Sequence, residues 1–299
     1  MSAPNGKPAL TMEVVRSPWR DAWRRLRKNK MAVVMGATFG AVFLFCFLGP
    51  IVAGWFGRDA TTIRIDLGAT APSFAHPFGT DLLGRDMLVR TMIGGRIAIM
   101  VAFTATIIAL FIGVTWGAIA AYAGGRVDYV MMRVVDALYG FPTIVFVIVV
   151  MAVFDTKSIV VLFALIGGIS WLNMARQTRG QVLSLRHREF VEAARATGCT
   201  PARVLFRHIV PNALGVIIVA ATASLPSVML TEAFLSFLGL GVQAPLASWG
   251  TLVSEGSSQI SVYAWVLIAP GVVMGITIMA LNFLGDGLRD ALDPQTRKD

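Results

Sequence analysis

Six charge-free stretches of this chain read as spans: 31–57, 97–123, 137–154, 158–175, 209–231 and 260–285. At about 1.5 Å of rise per residue, even an 18-residue stretch covers roughly 27 Å, close to the ~30 Å hydrocarbon core of a bilayer. The pattern predicts an all-α integral membrane protein with six transmembrane helices. Pro142, Pro226 and Pro270 lie in or near these stretches and predict kinks. Gly36/Gly40, Gly113/Gly117 and Gly271/Gly275 have the spacing that lets helices approach closely in lipid. The units that follow are a leader 1–30, a first span 31–57, an external loop 58–96, a five-helix core 97–285 with a loop 176–208, and a tail 286–299.

The connecting segments set the orientation. With the N-terminus inside, segments 1–30, 124–136, 176–208 and 286–299 carry 20 Lys and Arg, and the outside segments carry 6. Cytoplasmic loops concentrate basic residues, so both termini are expected in the cytoplasm. In the leader, Ser17 caps and Pro18 opens a helix that places Trp19, Trp23 and Leu26 on one face, with most basic residues elsewhere. This reads as a helix lying at the cytoplasmic interface. No cleavable leader is expected, since the first apolar stretch is too long for one. The outer segment 58–96 interleaves Asp59, Asp66, Asp81 and Asp86 with arginines; a turn and helix cap with local salt bridges accounts for them. Segment 232–259 begins too apolar for an exposed loop and is expected to fold back on the outer mouth of the bundle.

Composition agrees. The chain has 299 residues, 56% of them hydrophobic and 14% charged, with a mean hydropathy of +0.71. The net charge of +9 is spread between apolar stretches and suits anionic lipid, not nucleic acid. Cys46 and Cys199 fit no disulfide or metal framework, and His76, His187 and His208 are scattered. No GxxxxGK[ST] loop for nucleotide occurs. Asp136, Glu232 and Asp286 stand at span ends, whereas ion-coupled transporters place ionisable groups at mid-membrane. That argues against an ion-coupled secondary transporter or channel. The absence of a nucleophile–base or ligand cluster argues against a membrane enzyme. The chain reads as a pathway that another component must power.

The segment from Arg188 to Asn212 carries the most information. Helix propensity is high from Glu189 to Ala196, acids lie at its start, and Gly198 closes it. Thr200-Pro201 then restarts a helix. Phe190, Ala193, Ala194 and Thr197 form one small, apolar face, which either enters a partner's groove or packs on the protein's own bundle.

Glu192-Ala193-Ala194, three residues and Gly198 resemble the E-A-A loop of permease subunits of bacterial ATP-binding-cassette (ABC) importers. The tail Ile209-Val210-Pro211 departs from that family's I-x-L-P. The lead-in Arg27 to Gly36, Gly79-Thr80-Asp81 with Gly84-Arg85-Asp86, Leu235 to Gly241 with Ser248-Trp249-Gly250, and the ending Gly285 to Pro294 are similar to the C-type subunits of the peptide/nickel branch. The resemblance implies a coupling helix between the fourth and fifth spans, with Glu189, Phe190, Glu192, Ala193, Ala194, Gly198 and Pro211 serving contact with the ATPase. It implies a second homologous permease chain in a heterodimer, two cytoplasmic ATPases, an external solute-binding protein, and a multi-pass place in the bacterial inner membrane. ATP and magnesium would sit on the partner subunits, with no cofactor on this chain. The implied cargo is a di- or oligopeptide, with nickel or another small solute as the alternative.

Overall fold

The computed structural model describes residues 18–154 and 158–292. The Ser17 cap, Lys157 and the final Asp293-Pro294 lie outside the described residues, as does the Trp19 side chain. The described chain is helical: α1 Pro18–Lys28, α2 Lys30–Trp55, α3 Met87–Ala123, α4 Gly125–Tyr139, α5 Thr143–Val153, α6 Ile159–Leu185, α7 Glu189–Ala196, α8 Pro201–Arg203, α9 Val210–Phe237, α10 Trp249–Ser257 and α11 Ala264–Leu292. A π-helical turn, Val204–Ile209, joins α8 to α9, so one helical rod runs over Pro201–Phe237.

Among the described residues, five helices are long and apolar enough to cross a membrane: α2, α3, α6, the α8–α9 rod and α11. The sixth crossing corrects the expected single span 137–154. Two shorter helices, α4 and α5, meet there at a 79° bend. Pro142 has no N–H to continue the ladder and disfavours helical backbone at Phe141, so α4 stops at Tyr139. By contrast, α9 and α11 run through Pro226 and Pro270 unbroken.

Two spans are longer than their charge-free cores because their charges are answered. α3 starts at Met87, not at 97. Its Arg90 pairs with Asp81 and Glu255, and the Arg96 guanidinium lies 5.6 Å from the Phe47 ring centre. α6 runs ten residues past Ala175 because Arg176 and Arg179 donate to Asp136 and Asp128 of α4, each at 2.7 Å.

α3 and α6 lie parallel and form the tightest seam. A Cβ at Gly167 would stand 3.1 Å from the Ala105 Cα, one at Gly113 2.6 Å from the Met174 Cβ, and one at Gly117 2.2 Å from the Ala175 carbonyl oxygen. Of the three glycine pairs, only Gly113/Gly117 is pressed against a neighbour along its length. Gly40 and Gly275 have nothing within 4 Å of an added Cβ.

The crossings give the bundle two distinct ends. One end, here the base, holds α1, α7 and the last turns of α11, where Gly287 stacks against Ala32 and Leu26. α1 turns Ala22 and Leu26 toward the bundle, while Trp23 is exposed beneath the Arg27 guanidinium. The other end, the head, holds the segment 56–86 and α10. There α10 folds back as expected. Trp249 is buried against Gly95 and donates to the Thr91 carbonyl at 2.8 Å, and Ser248 with Thr251 forms a capping box.

Candidate functional site

The base carries a helical hairpin between the fourth and fifth crossings. α7 spans only eight residues, Glu189–Ala196, too few to be stable alone in water. Its two ends and its inner face hold it. At the C-terminal end Gly198 adopts φ +79°, its N–H reaches the Arg195 carbonyl at 3.0 Å, and the Cys199 N–H reaches the Ala194 carbonyl at 3.2 Å. This is the Schellman arrangement, which needs a left-handed residue at the corner. Thr200 then caps α8 by accepting from the Arg203 N–H, with Pro201 in the first turn. Pro211 has no N–H to give to the carbonyl four residues back. The ladder widens in the turn before it, and the Val210 N–H reaches the Leu205 carbonyl instead.

The inner face is apolar. Val191 and Ala194 of α7, with Val204, Leu205 and Ile209, bury themselves against Ala118 and Ala121 at the end of α3 and Val182 near the end of α6. The Arg186 guanidinium donates to the Ala121 carbonyl at 3.0 Å, and Arg195 lies 5.5 Å from the Tyr122 ring centre. One small hairpin is thereby fastened to the ends of α3 and α6 and continues directly into the α8–α9 rod.

The structure divides the face expected to enter a partner. Ala194, 7% exposed, stands between Phe190 and Val191 around the helix and packs inward with Val191 on the bundle. Glu189, Phe190, Glu192, Ala193 and Thr197 point to solvent, as does the Gly198 corner, and Phe190 is 38% exposed. Pro211 is exposed at the start of α9. Seven residues singled out from the sequence thus lie on one hairpin, six of them outward.

The profile of the binding-protein-dependent transport system inner membrane component family matches residues 113–298, more than half of the chain and the whole of this hairpin. The chain belongs to that family. A second profile, the N-terminal transmembrane domain of oligopeptide transport permease C, matches residues 17–67. The chain is 44% identical over 283 residues to the oligopeptide transport system permease protein OppC of Bacillus subtilis, covering 94% of this chain and 91% of that protein. It is 45% identical over 282 residues to OppC of Escherichia coli K12, with 94% and 93% covered. To the dipeptide transport system permease protein DppC of Bacillus subtilis it is 42% identical, with 93% and 86% covered.

In this inner-membrane permease the head holds charges that sequence reasoning assigned only to local pairs. Arg90, 3% exposed inside α3, bonds Asp81 from the preceding loop and also Glu255 of α10, at 3.0 Å and 165 positions away. Asp81 also receives Arg85 at 2.7 Å, and Asp86 caps α3 while meeting His76 at 2.9 Å. Glu232 is buried within α9, where Ser236 and Ser248 donate to its Oε1 at 2.7 and 2.6 Å. The available signal was a pair of arginines, Arg90 and Arg96, ahead of a long apolar run; the identity of the distant partner of Arg90 had none.

Proposed function

We propose that this permease is one transmembrane half of an ABC importer for di- or oligopeptides, in the inner membrane of a bacterium. The base is cytoplasmic, with both termini; the 20-to-6 bias of Lys and Arg supports that orientation. The importer pairs this chain with a second homologous permease. Two ATPases dock on the base, where they keep ATP and magnesium, and a solute-binding protein docks on the head. The cargo assignment rests on the relatives, which are oligopeptide and dipeptide permeases.

One observation carries the mechanism. α7 presents Glu189, Phe190, Glu192 and Ala193 outward while Val191 and Ala194 fasten it to α3, α6 and the α8–α9 rod. A push on the outer face therefore moves three crossings together, since a close-packed apolar cluster transmits displacement with little compression. ATP binding would bring the ATPases together, and α7 would carry that motion into alternating access. Ala193→Trp fills the outer face without touching the inner one. The ATPases should then fail to co-purify with the permease while its thermal unfolding stays unchanged. Retained ATPases and normal peptide uptake would refute the docking role.

A further inference from the structure

The apolar crossings α6 and α9 hide a row of polar side chains. Ser170, Asn173 and Gln177 recur along α6 at helical spacing, and Ser224 and Ser227 face them from α9. These residues line two adjoining cavities of about 200 and 360 Å³ that share Asn173, Ser224 and Ser227. The smaller cavity runs to Tyr139 and Thr143 at the α4–α5 bend, and the larger to Asp286 and Arg289 at the base. Together they form a furrow along one side of the bundle.

Asn173 is exposed and lies near the middle of α6, roughly 18–21 Å from either end at about 1.5 Å per residue. No bond to another described residue engages the amides of Asn173 or Gln177. The hydroxyls of Ser170, Ser224 and Ser227 donate back to their own helices, to Ile166, Ala221 and Ser224, leaving oxygen lone pairs toward the furrow. Open amides are costly against hydrocarbon, which offers them no partner. The furrow therefore faces water, a polar solute or polar groups of the second permease, and not hydrocarbon. Its central lining is uncharged, and its charged side chains stand at the base mouth.

We propose that this furrow is the chain's own wall of the solute path and binds an extended peptide through the N–H and C=O groups of the peptide's backbone. This rests on the importer reading above. A neutral wall of amide and hydroxyl groups bonds what every peptide has in common and is indifferent to the charge of its side chains. Direct hydrogen bonds to cargo would need donors from Asn173 and Gln177 and acceptors from the serines, both of which are present.

The test uses the complete importer reconstituted in vesicles, with Cys46→Ala and Cys199→Ser removing the native thiols. Asn173→Cys and Ser227→Cys should react with a water-soluble methanethiosulfonate at least about tenfold faster than Phe111→Cys, whose native ring is 79% exposed on α3. The cysteine thiolate, which forms in water and not in lipid, attacks the sulfenyl sulfur of that reagent, forming a disulfide and expelling methanesulfinate. Asn173→Leu with Ser227→Val should lower ATP-driven uptake of trialanine by about tenfold or more, the factor expected from losing one or more net hydrogen bonds. The ATPases should still co-purify and hydrolyse ATP, and Asn173→Gln should recover much of the uptake. Labelling no faster than at position 111 would mean that lipid or a tightly packed helix covers the furrow, and the proposal falls. Normal uptake by the Leu/Val variant would equally overturn it. If the unsubstituted importer carries no trialanine under ATP, the peptide reading fails and amide recognition falls with it, while the labelling still decides whether the furrow is wet.

Discussion

At the residue scale, the head and base depend on a few side chains whose neighbours leave no alternative. Gly84 adopts φ +71°, and a Cβ there would stand 1.9 Å from the Arg64 carbonyl oxygen. Gly84→Ala combines backbone strain with a clash against main chain, and should lower the thermal unfolding midpoint by the equivalent of about 2–3 kcal/mol. Gly198 has a similar φ, +79°, but nothing within 4 Å. Gly198→Ala should cost only the left-handed strain, about 1–2 kcal/mol, and loosen the hairpin corner. Arg90 is the opposite case, a buried cation answered by two acids. Arg90→Leu removes one of the two cations on buried Asp81, which keeps Arg85, and should destabilise by about 1–3 kcal/mol. Thermal denaturation of the purified complex in detergent reads all of these.

At the scale of elements, the seam between α3 and α6 and the division of α7 into two faces carry the argument. Gly117→Leu would drive a side chain into the Ala175 carbonyl, so the helices must separate and the yield of folded permease should fall sharply. The same substitution at Gly275, which has no neighbour within 4 Å, should leave the isolated chain folded. Ala194→Trp and Ala193→Trp differ by one position and should fail differently. The first overpacks the cluster with Val191 and Val204 and destabilises the hairpin; the second leaves stability intact and blocks docking. Limited proteolysis of the loop 186–200 separates them, since only the first should cut faster. Helix ends were legible in this region because Gly198, Thr200 and Pro201 act through their own backbone. The inward turn of Ala194 was not, because a face of alanines reads the same from either side until its neighbours are in place.

At the scale of the whole molecule, parallel α3 and α6 require a return crossing between them, and the broken pair α4–α5 supplies it. The second, fourth and sixth crossings therefore end at the base, and both described termini lie there together. Single cysteines placed at Lys28 and Arg289 should resist a membrane-impermeant thiol reagent added outside intact cells, while one at Ile63 should react. Labelling of the first two from outside would invert the proposed topology. The head is closed by Arg90, which ties the loop before α3 to α10, and by Trp249, wedged against Gly95. Any opening of that end must disturb these contacts or move them as one body.

Local chemistry determined what could be read along the chain. Charge-free length sets the number of crossings, proline and glycine set where helices stop, and basic residues set which side faces inward, since each of these acts within a turn or two of backbone. The hairpin and its motif were legible for the same reason. Tertiary structure alone decided the rest. Whether an arginine lengthens or ends a span depends on a carboxylate up to 165 residues away, as with Arg90 and Glu255. Whether Asn173, Ser224 and Ser227 are scattered polar residues or one furrow depends on the rotation of α6 against α9. Those outcomes belong to packing between distant segments, and no window of sequence contains both partners.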